Sequence, residues 1–218
     1  MVNKKLVIFD LDGTLLDTSE GIMHCYDSTG TALGLIRNEL SYRKIVIGGP
    51  LSDGFNTLYK IPNKETLNTA IELYRKLYKE SGIKMFSAYD GIEQLLKSLK
   101  DNGIYIATAT LKLESFAREM LKSAGIAQYF DLIKGFNGDE SCTKAYILNQ
   151  VVNELGISKS DAVLIGDSKY DAVGAQSEGI DFIGVSYGFG IKEGGDNDAF
   201  KSIYIAKSPQ DIKTFLLG

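Results

Sequence analysis

The hydrophobic residues of this chain follow different patterns in succession. Leu6–Phe9 is a short apolar run of the β-branched and aromatic kind found in buried parallel strands. From about residue 16 to 82 the apolar positions recur at helical spacing, and we predict no strand there. Beyond residue 86, short apolar runs alternate with amphipathic helical segments. This succession predicts a strand, an inserted helical block and then a longer alternating region.

The alternating region predicts the fold class. Strands are expected at 104–109, 130–133, 162–165, 181–185 and 203–206. Strands that alternate with helices are joined by right-handed crossovers and form a parallel sheet covered on both faces. We therefore predict an α/β fold whose doubly wound parallel sheet is built from residues 1–15 and 86–218. The all-helical block, residues 16–85, is inserted after the first strand.

Capping and breaking residues predict the elements of this helical block. Ser19 or Thr18 is expected to cap its first helix. Residues 38–47 and 51–59 are predicted to be helical, and Asn63 is expected to cap the next helix. The tyrosines of that helix fall on its apolar face, so we expect them to pack inside the block.

Polar residues end several of the predicted strands. Asp10 follows the first apolar run, Thr110 ends the next one, and Asp167 ends the run at 162–165. In an open parallel sheet, ligands bind beyond the carboxyl ends of the strands, where the strand order reverses. We therefore expect these side chains to converge on one site.

Four carboxylates would share that site with one lysine. Asp12 lies two positions after Asp10 and points to the same side, while Asp171 follows Asp167 closely and Lys144 opens a helix. Several negative charges within a few ångströms raise at least one carboxyl pKa. A divalent cation relieves that repulsion, and an oxygen-only ligand set suits Mg²⁺.

The same residues are suited to phosphoryl transfer. The cation, Lys144 and the Thr110 hydroxyl would form a cradle for a doubly charged phosphate. A carboxylate can accept the phosphoryl group as an aspartyl-phosphate, which divides one difficult step into two. Asp12 can protonate the leaving alcohol and later deprotonate water.

Composition and charge restrict the possible partners. The 218 residues have a formal net charge of −4 and a pI near 5.2, which argues against a nucleic-acid partner. Cys25 and Cys142 match no metal-binding spacing and are expected to be free thiols in a reducing compartment. The apolar run near the N-terminus is too short for a signal-peptide core or a membrane span. We expect a soluble, cytoplasmic protein with no membrane partner, as a monomer or a small homo-oligomer.

The chain resembles the haloacid dehalogenase superfamily, and within it the phosphoglycolate phosphatase-like group with a helical cap. The resemblance covers essentially the whole length. Its motifs, in chain order, are Asp10-Leu11-Asp12-Gly13-Thr14, Thr110, Lys144, Gly166-Asp167 with Asp171, and the loop Ser186-Tyr187-Gly188-Phe189-Gly190. Order, spacing and position at strand ends together make the match specific.

The resemblance implies roles for the carboxylates. Asp10 is implied to be the nucleophile and a metal ligand. Asp12 is implied to be the general acid/base, and its backbone carbonyl to bind the metal. Asp167 is implied to bind Mg²⁺, and Asp171 to join the coordination or to orient it. The dehalogenases that name the superfamily lack the second aspartate, because a halide leaving group needs no proton.

The resemblance also implies that Thr110 and Lys144 hold the phosphate. The chain departs from the usual motif here, because Leu111 stands where Asn or Ser is common. Thr108 lies on the same strand face and is an alternative. We prefer Thr110, because Lys112 then falls where this group usually has it.

We therefore expect a Mg²⁺-dependent phosphatase that hydrolyses a small phosphomonoester through an aspartyl-phosphate. Phosphoglycolate, a nucleoside monophosphate, a sugar phosphate and pyrophosphate all fit this description. The resemblance implies that the helical block is a cap domain that governs access to the site. Arg43, Lys44 and Gly48–Pro50 are the cap residues that we expect to face the substrate.

Two other interpretations stay open at this point. Another enzyme of the superfamily is possible, either a phosphomutase like β-phosphoglucomutase or a phosphonate hydrolase. A phosphonate hydrolase would need a cap lysine that forms a Schiff base, and we cannot place one. From a different class, the chain could be a non-catalytic regulator that binds a phosphorylated metabolite without turning it over.

Overall fold

A computed structural model describes residues 4–38, 47–139, 142–192 and 201–218. In these residues the chain forms an α/β fold with a mainly parallel sheet, as predicted. The strands are β1 (Leu6–Phe9), β2 (Leu16–Asp17), β3 (Ser87–Ala88), β4 (Tyr105–Leu113), β5 (Leu132–Phe136), β6 (Ala162–Gly166), β7 (Asp181–Val185) and β8 (Tyr204–Ala206). The helices are α1 (Ser19–Ala32), α2 (Leu51–Leu58), α3 (Lys64–Glu80), α4 (Ile92–Asp101), α5 (Glu114–Ser123), α6 (Lys144–Leu155), α7 (Lys169–Glu178) and α8 (Pro209–Leu217).

The large sheet has the strand order β5-β4-β1-β6-β7-β8, and its strands pair in parallel. Strands β4 and β5 are added on one side of β1, and β6, β7 and β8 on the other. The direction of winding therefore reverses at β1, between Thr108 and Ile165, which both pair with Phe9. The carboxyl end of β1 is thus the position where a ligand site is expected.

Helices cover both faces of this sheet because the side chains of β1 alternate between them. Val7 and Phe9 pack into the core beneath α4, α5 and α8. Leu6 and Ile8 pack on the opposite face, beneath α6 and α7. All four side chains are fully buried, which explains why this strand is a continuous apolar run. The doubly wound arrangement is confirmed.

The helical block lies between two short strands that the sequence analysis missed. Leu16 pairs with Ala88 and Asp17 with Ser87, in an antiparallel ribbon at the entry and exit of the block. Each strand is only two residues long, so neither leaves a periodic signal in the sequence. Whether residues 16–85 form a separate cap domain stays a prediction.

Four aromatic side chains form the interior of the helical block. The ring centroid of Tyr26 lies 4.9 Å from that of Phe55 and 4.8 Å from that of Tyr74. Tyr74 in turn stacks on Tyr78 at 5.7 Å. These rings fix the packing of α1, α2 and α3 on one another, and the tyrosines of α3 lie inside the block as expected.

Other element boundaries differ from those predicted. Strand β4 continues beyond Thr110 to Leu113, with a shift in register between these residues, because Leu113 pairs with Phe136. Strand β5 begins at Leu132 and not at Phe130, because residues 127–129 form a short 3₁₀ turn. A helix was predicted at 38–47. Most of that range, residues 39–46, lies outside the described residues.

Among the described helices, none combines the length and the apolar composition that crossing a bilayer requires.

The capping bond of α3 gives a stability test. The side chain of Asn63 accepts a hydrogen bond of 2.8 Å from the backbone N–H of Thr66. We expect Asn63→Ala to lower the free energy of unfolding by about 1 kcal/mol, because that donor loses its partner. Asn63→Asp retains an acceptor and should stay close to wild type. Chemical denaturation measures both variants, and an Ala variant as stable as wild type would contradict the prediction.

Candidate active site

The centre of the site is a buried lysine between two carboxylates. Lys144 begins α6, and its Nζ lies 2.6 Å from Asp10 Oδ1 at the end of β1. The same Nζ donates a hydrogen bond of 2.7 Å to the carbonyl oxygen of Ala109. It also lies 2.7 Å from Asp171 Oδ1, as an ion pair without hydrogen-bond geometry. These three charged side chains are at most 3% exposed.

Burial dominates the electrostatics of this cluster. It raises the pKa of Asp10 to about 7, an increase that Lys144 opposes and Asp171 and Asp12 reinforce. Burial alone would lower the pKa of Lys144, but Asp10 and Asp171 outweigh it and raise the pKa, so the lysine stays charged. One lysine therefore does not offset the negative charge gathered here.

Asp167 is held by the loop that follows β7. Its Oδ2 accepts hydrogen bonds from the backbone N–H groups of Phe189, at 2.6 Å, and Gly190, at 3.2 Å. Burial, followed by the charges of Asp171 and Asp10, raises the pKa of Asp167 well above its usual range. Its Oδ1 is buried and has no hydrogen-bond partner among the described residues. This free oxygen is a strong indication that a cationic partner belongs here.

These residues fit a divalent cation. Three buried carboxylates each contribute one oxygen, and these three oxygens lie within 4.8 Å of one another. They belong to Asp10, Asp167 and Asp171. A hard cation such as Mg²⁺ prefers carboxylate oxygens. The excess negative charge and the unpartnered Asp167 oxygen are what such an ion would neutralise.

One carboxylate oxygen of Asp171 takes part in capping α7. Its Oδ2 accepts hydrogen bonds from Ser168 Oγ, at 2.6 Å, and from the Ser168 backbone N–H, at 3.0 Å. Both carboxylate oxygens of Asp171 therefore have a protein neighbour, Ser168 on one side and Lys144 on the other. Asp171 thus positions the lysine and the first turn of α7.

Asp12 has two partners that the sequence analysis did not assign. Its Oδ1 accepts a hydrogen bond of 2.6 Å from Thr18 Oγ1, so this hydroxyl does not cap α1 as expected. Lys112 Nζ lies 3.1 Å from the same oxygen and 4.4 Å from the ring centroid of Tyr78. Burial alone would lower the pKa of Lys112, but Asp12 and Tyr78 raise it. The only sequence signal was the position of Lys112 two residues after Thr110.

The two candidate threonines of β4 have different surroundings. The Thr108 hydroxyl both donates to the carbonyl oxygen and accepts from the N–H of Lys134, each at 3.0 Å, and is therefore fully engaged with β5. The Thr110 hydroxyl accepts from the backbone N–H of Lys112 at 3.2 Å, which leaves its proton available. Thr110 also lines the cavity described next, and these contacts favour it over Thr108.

A cavity of about 620 Å³ separates these residues from the helical block. Asp10, Asp12, Thr110 and Lys112 line it on the side of the sheet. One face of α3, together with α1 and residues 47–52, lines the opposite side. The predicted Gly48–Pro50 segment is part of that wall, whereas Arg43 and Lys44 lie outside the described residues. The volume is in the range of small-molecule sites.

Fold and site together define an α/β protein whose clustered carboxylates and buried lysine lie at the end of the central strand, where Asp10 and Asp12 line a cavity of small-molecule size. The chain belongs to the haloacid dehalogenase-like hydrolase family, whose profile matches residues 7–185. This confirms the family predicted from the motifs.

Several characterised proteins are similar to the chain. The tyrosine-protein kinase PtkA of Mycobacterium tuberculosis is 35% identical over 187 residues, which are 85% of this chain but only 63% of that relative. A phosphoglycolate phosphatase of Vibrio vulnificus is 31% identical over 194 residues, 85% of either chain. A solved haloacid dehalogenase-like hydrolase of Streptococcus pneumoniae is 30% identical, with a TM-score of 0.87 over 99% of both chains.

The close approach of two loops at Gly13 gives a second test. Gly13 has a φ of +82°, and an added Cβ would lie 2.5 Å from Asp167 Oδ2. Gly34 has a similar φ of +61° with nothing within 4 Å. We expect Gly34→Ala to lower the free energy of unfolding by about 1–2 kcal/mol through backbone strain alone, and Gly13→Ala to lower it by more. Thermal or chemical denaturation measures both, and equal losses would show that the Asp167 contact is not tight.

Proposed function

We propose that this protein is a Mg²⁺-dependent phosphatase that hydrolyses a small phosphomonoester through an aspartyl-phosphate on Asp10. The observation that carries the proposal is the position of Asp10. Its carboxylate lies at the end of β1, 2.6 Å from Lys144 Nζ and on the wall of the cavity. The phosphoglycolate phosphatase among the relatives supports this class of reaction.

Asp10 is the nucleophile in this proposal. One of its carboxylate oxygens attacks phosphorus, so that the Asp10–phosphorus bond forms while the bond to the ester oxygen breaks. Lys144 and the Thr110 hydroxyl hold the phosphate oxygens and offset their negative charge. The ammonium of Lys144 is already positioned by Asp171 and the carbonyl oxygen of Ala109.

Asp12 moves the proton. It donates a proton to the leaving alkoxide in the first step. In the second step it takes a proton from water, whose oxygen bonds to phosphorus while the bond between Asp10 and phosphorus breaks, so that inorganic phosphate leaves and Asp10 is regenerated. Thr18 and Lys112 hold one of its oxygens, and the residue lines the cavity. The bound Mg²⁺ would be held by Asp10, the backbone carbonyl of Asp12 and Asp167, with Asp171 orienting the site. When bound, it offsets the charge on the phosphate oxygens.

The cavity of about 620 Å³ has the size expected for a small substrate. Its wall from α3 and residues 47–52 lies opposite Asp10 and Asp12. PtkA is named a kinase, and the alternative for this chain is phosphoryl transfer from Asp10 to an acceptor other than water. Release of inorganic phosphate separates the two cases.

Replacing Asp10 tests the chemistry. We expect Asp10→Asn to reduce phosphate release from a panel of small esters by at least about 1,000-fold, because an amide cannot form the aspartyl-phosphate. Asp101→Asn, an exposed aspartate of α4, is the matched control and should retain wild-type rates. Turnover by Asp10→Asn at a rate near that of wild type would contradict the proposed nucleophile.

The metal is tested without any substrate. Saturating Mg²⁺ should raise the melting temperature of the wild type by about 5 °C, because an ion bound only to the folded state stabilises it. Asp167→Asn retains an acceptor for the N–H groups of Phe189 and Gly190 but loses a charged ligand, so its shift should be much smaller. Asp101→Asn should shift like the wild type. Equal shifts in all three proteins would place the ion elsewhere.

A further inference from the structure

Arg75 lines the cavity and forms no ion pair with a carboxylate among the described residues. Arg75 lies on α3, is half-buried, and its Cζ is 5.7 Å from the ring centroid of Phe136. Its Nε is buried and forms no hydrogen bond with any of the described residues. A buried donor of a permanently charged group normally has an acceptor, so its partner is expected to come from the cavity.

The two lysines that contact the carboxylates of the cavity, Asp10 and Asp12, are already neutralised by them. Lys144 is paired with Asp10 and Asp171, and Lys112 is paired with Asp12. Arg75 has no such ion pair within the described parts of the chain, and the charge it brings to the cavity is available to a ligand. Glu72 also lines the cavity, but it is exposed to solvent.

Arg75 lines the same cavity as Asp10 and Asp12, from the end of α3 that is closer to Lys112. Tyr78, whose ring contacts Lys112, lies one helical turn farther along α3, about 5 Å along the helix axis. Lys112 in turn contacts Asp12. Lys64, the other cation of α3 on the cavity, is exposed and lies about 16 Å from Arg75 along the axis. A ligand of a few atoms anchored at Asp10 would therefore approach Arg75 and not Lys64.

We propose that Arg75 is the residue that selects the substrate, by binding a second anionic group on the phosphate ester. This inference rests on the proposed phosphatase function. The planar guanidinium presents paired N–H donors that match the two oxygens of a carboxylate or of a second phosphate. The Cζ of Arg75 lies 5.7 Å from the ring centroid of Phe136, and this cation–π contact restrains the side chain. The substrate class is then a small phosphomonoester with a second acidic group a few atoms from the phosphorus.

Three esters that differ only at the far end of a two-carbon unit test this selection. Phosphoglycolate carries a carboxylate there, ethylene glycol bisphosphate carries a phosphate, and ethyl phosphate carries a methyl group. We expect Arg75→Met to lower kcat/KM for the preferred acidic ester by about 10- to 100-fold, the range for a hydrogen bond between charged groups. The value for ethyl phosphate should change by less than about threefold, because it has no group for Arg75 to bind.

Lys76→Met is the control, because it removes a positive charge from the same helix at an exposed position. It should preserve the preference for the acidic esters. The acidic ester whose kcat/KM falls further in Arg75→Met identifies the second anionic group of the substrate as a carboxylate or a phosphate. An equal loss on all three esters, or an unchanged preference in Arg75→Met, would overturn the inference while leaving the phosphatase function intact.

Measuring ester binding without turnover distinguishes a failure of the Arg75 inference from a failure of the proposed phosphatase function. In Asp10→Asn with Mg²⁺, calorimetry should show tighter binding of an acidic ester than of ethyl phosphate, and Arg75→Met should remove the difference. If wild type hydrolyses none of the esters, the phosphatase proposal fails, yet this binding preference would still support the role of Arg75. Equal affinities for all three esters would overturn it.

Discussion

The ion pair between Lys144 and Asp10 is the interaction on which the rest of this structure depends. It joins the end of the central strand to the first residue of α6, and both side chains are almost completely buried. The stem of Lys144 passes over Gly174 of α7, where a Cβ would lie 2.6 Å from Lys144 Cγ. Removing the charge of Lys144 would leave Asp10 and Asp171 buried without their cation, which is strongly destabilising. Removing the charge of Asp10 leaves the lysine paired with Asp171. Sheet, helices and site are therefore coupled through one lysine.

The other carboxylates of the site, around this ion pair, are each held in place by their own hydrogen bonds or ion pairs. Asp167 is held by backbone donors, Asp171 by the cap of α7, and Asp12 by Thr18 and Lys112. Each carboxylate is thus oriented by a different element, and one oxygen of Asp167 is buried without a hydrogen-bond partner among the described residues. In the proposed function, this preorganised arrangement would receive the charge of a phosphate ester and its metal.

The parts of the fold that were predictable from the sequence are those with a local signal. The run Leu6–Phe9 has the composition of a buried strand, and the polar residues that follow the strands carry the motif of the family. The ribbon of β2 and β3 has no such signal, because two-residue strands are defined by their partner. Ser19 or Thr18 was expected to cap α1. Thr18 occupies the N-cap position, but its hydroxyl donates to Asp12 and makes no capping hydrogen bond. Arg75 was not identified, since the face that α3 presents to the cavity depends on how the block packs.

The central claim is that the phosphoryl group is transferred to Asp10, and trapping the acyl phosphate tests it most directly. Wild-type protein with Mg²⁺ would be mixed with phosphoglycolate or acetyl phosphate, quenched during turnover and reduced with borohydride, which converts an aspartyl-phosphate to homoserine. Mass spectrometry of the peptides should then find homoserine at position 10 and at no other aspartate. Phosphate release during the same turnover with Asp10 unmodified, or with the modification at another aspartate, would contradict the claim.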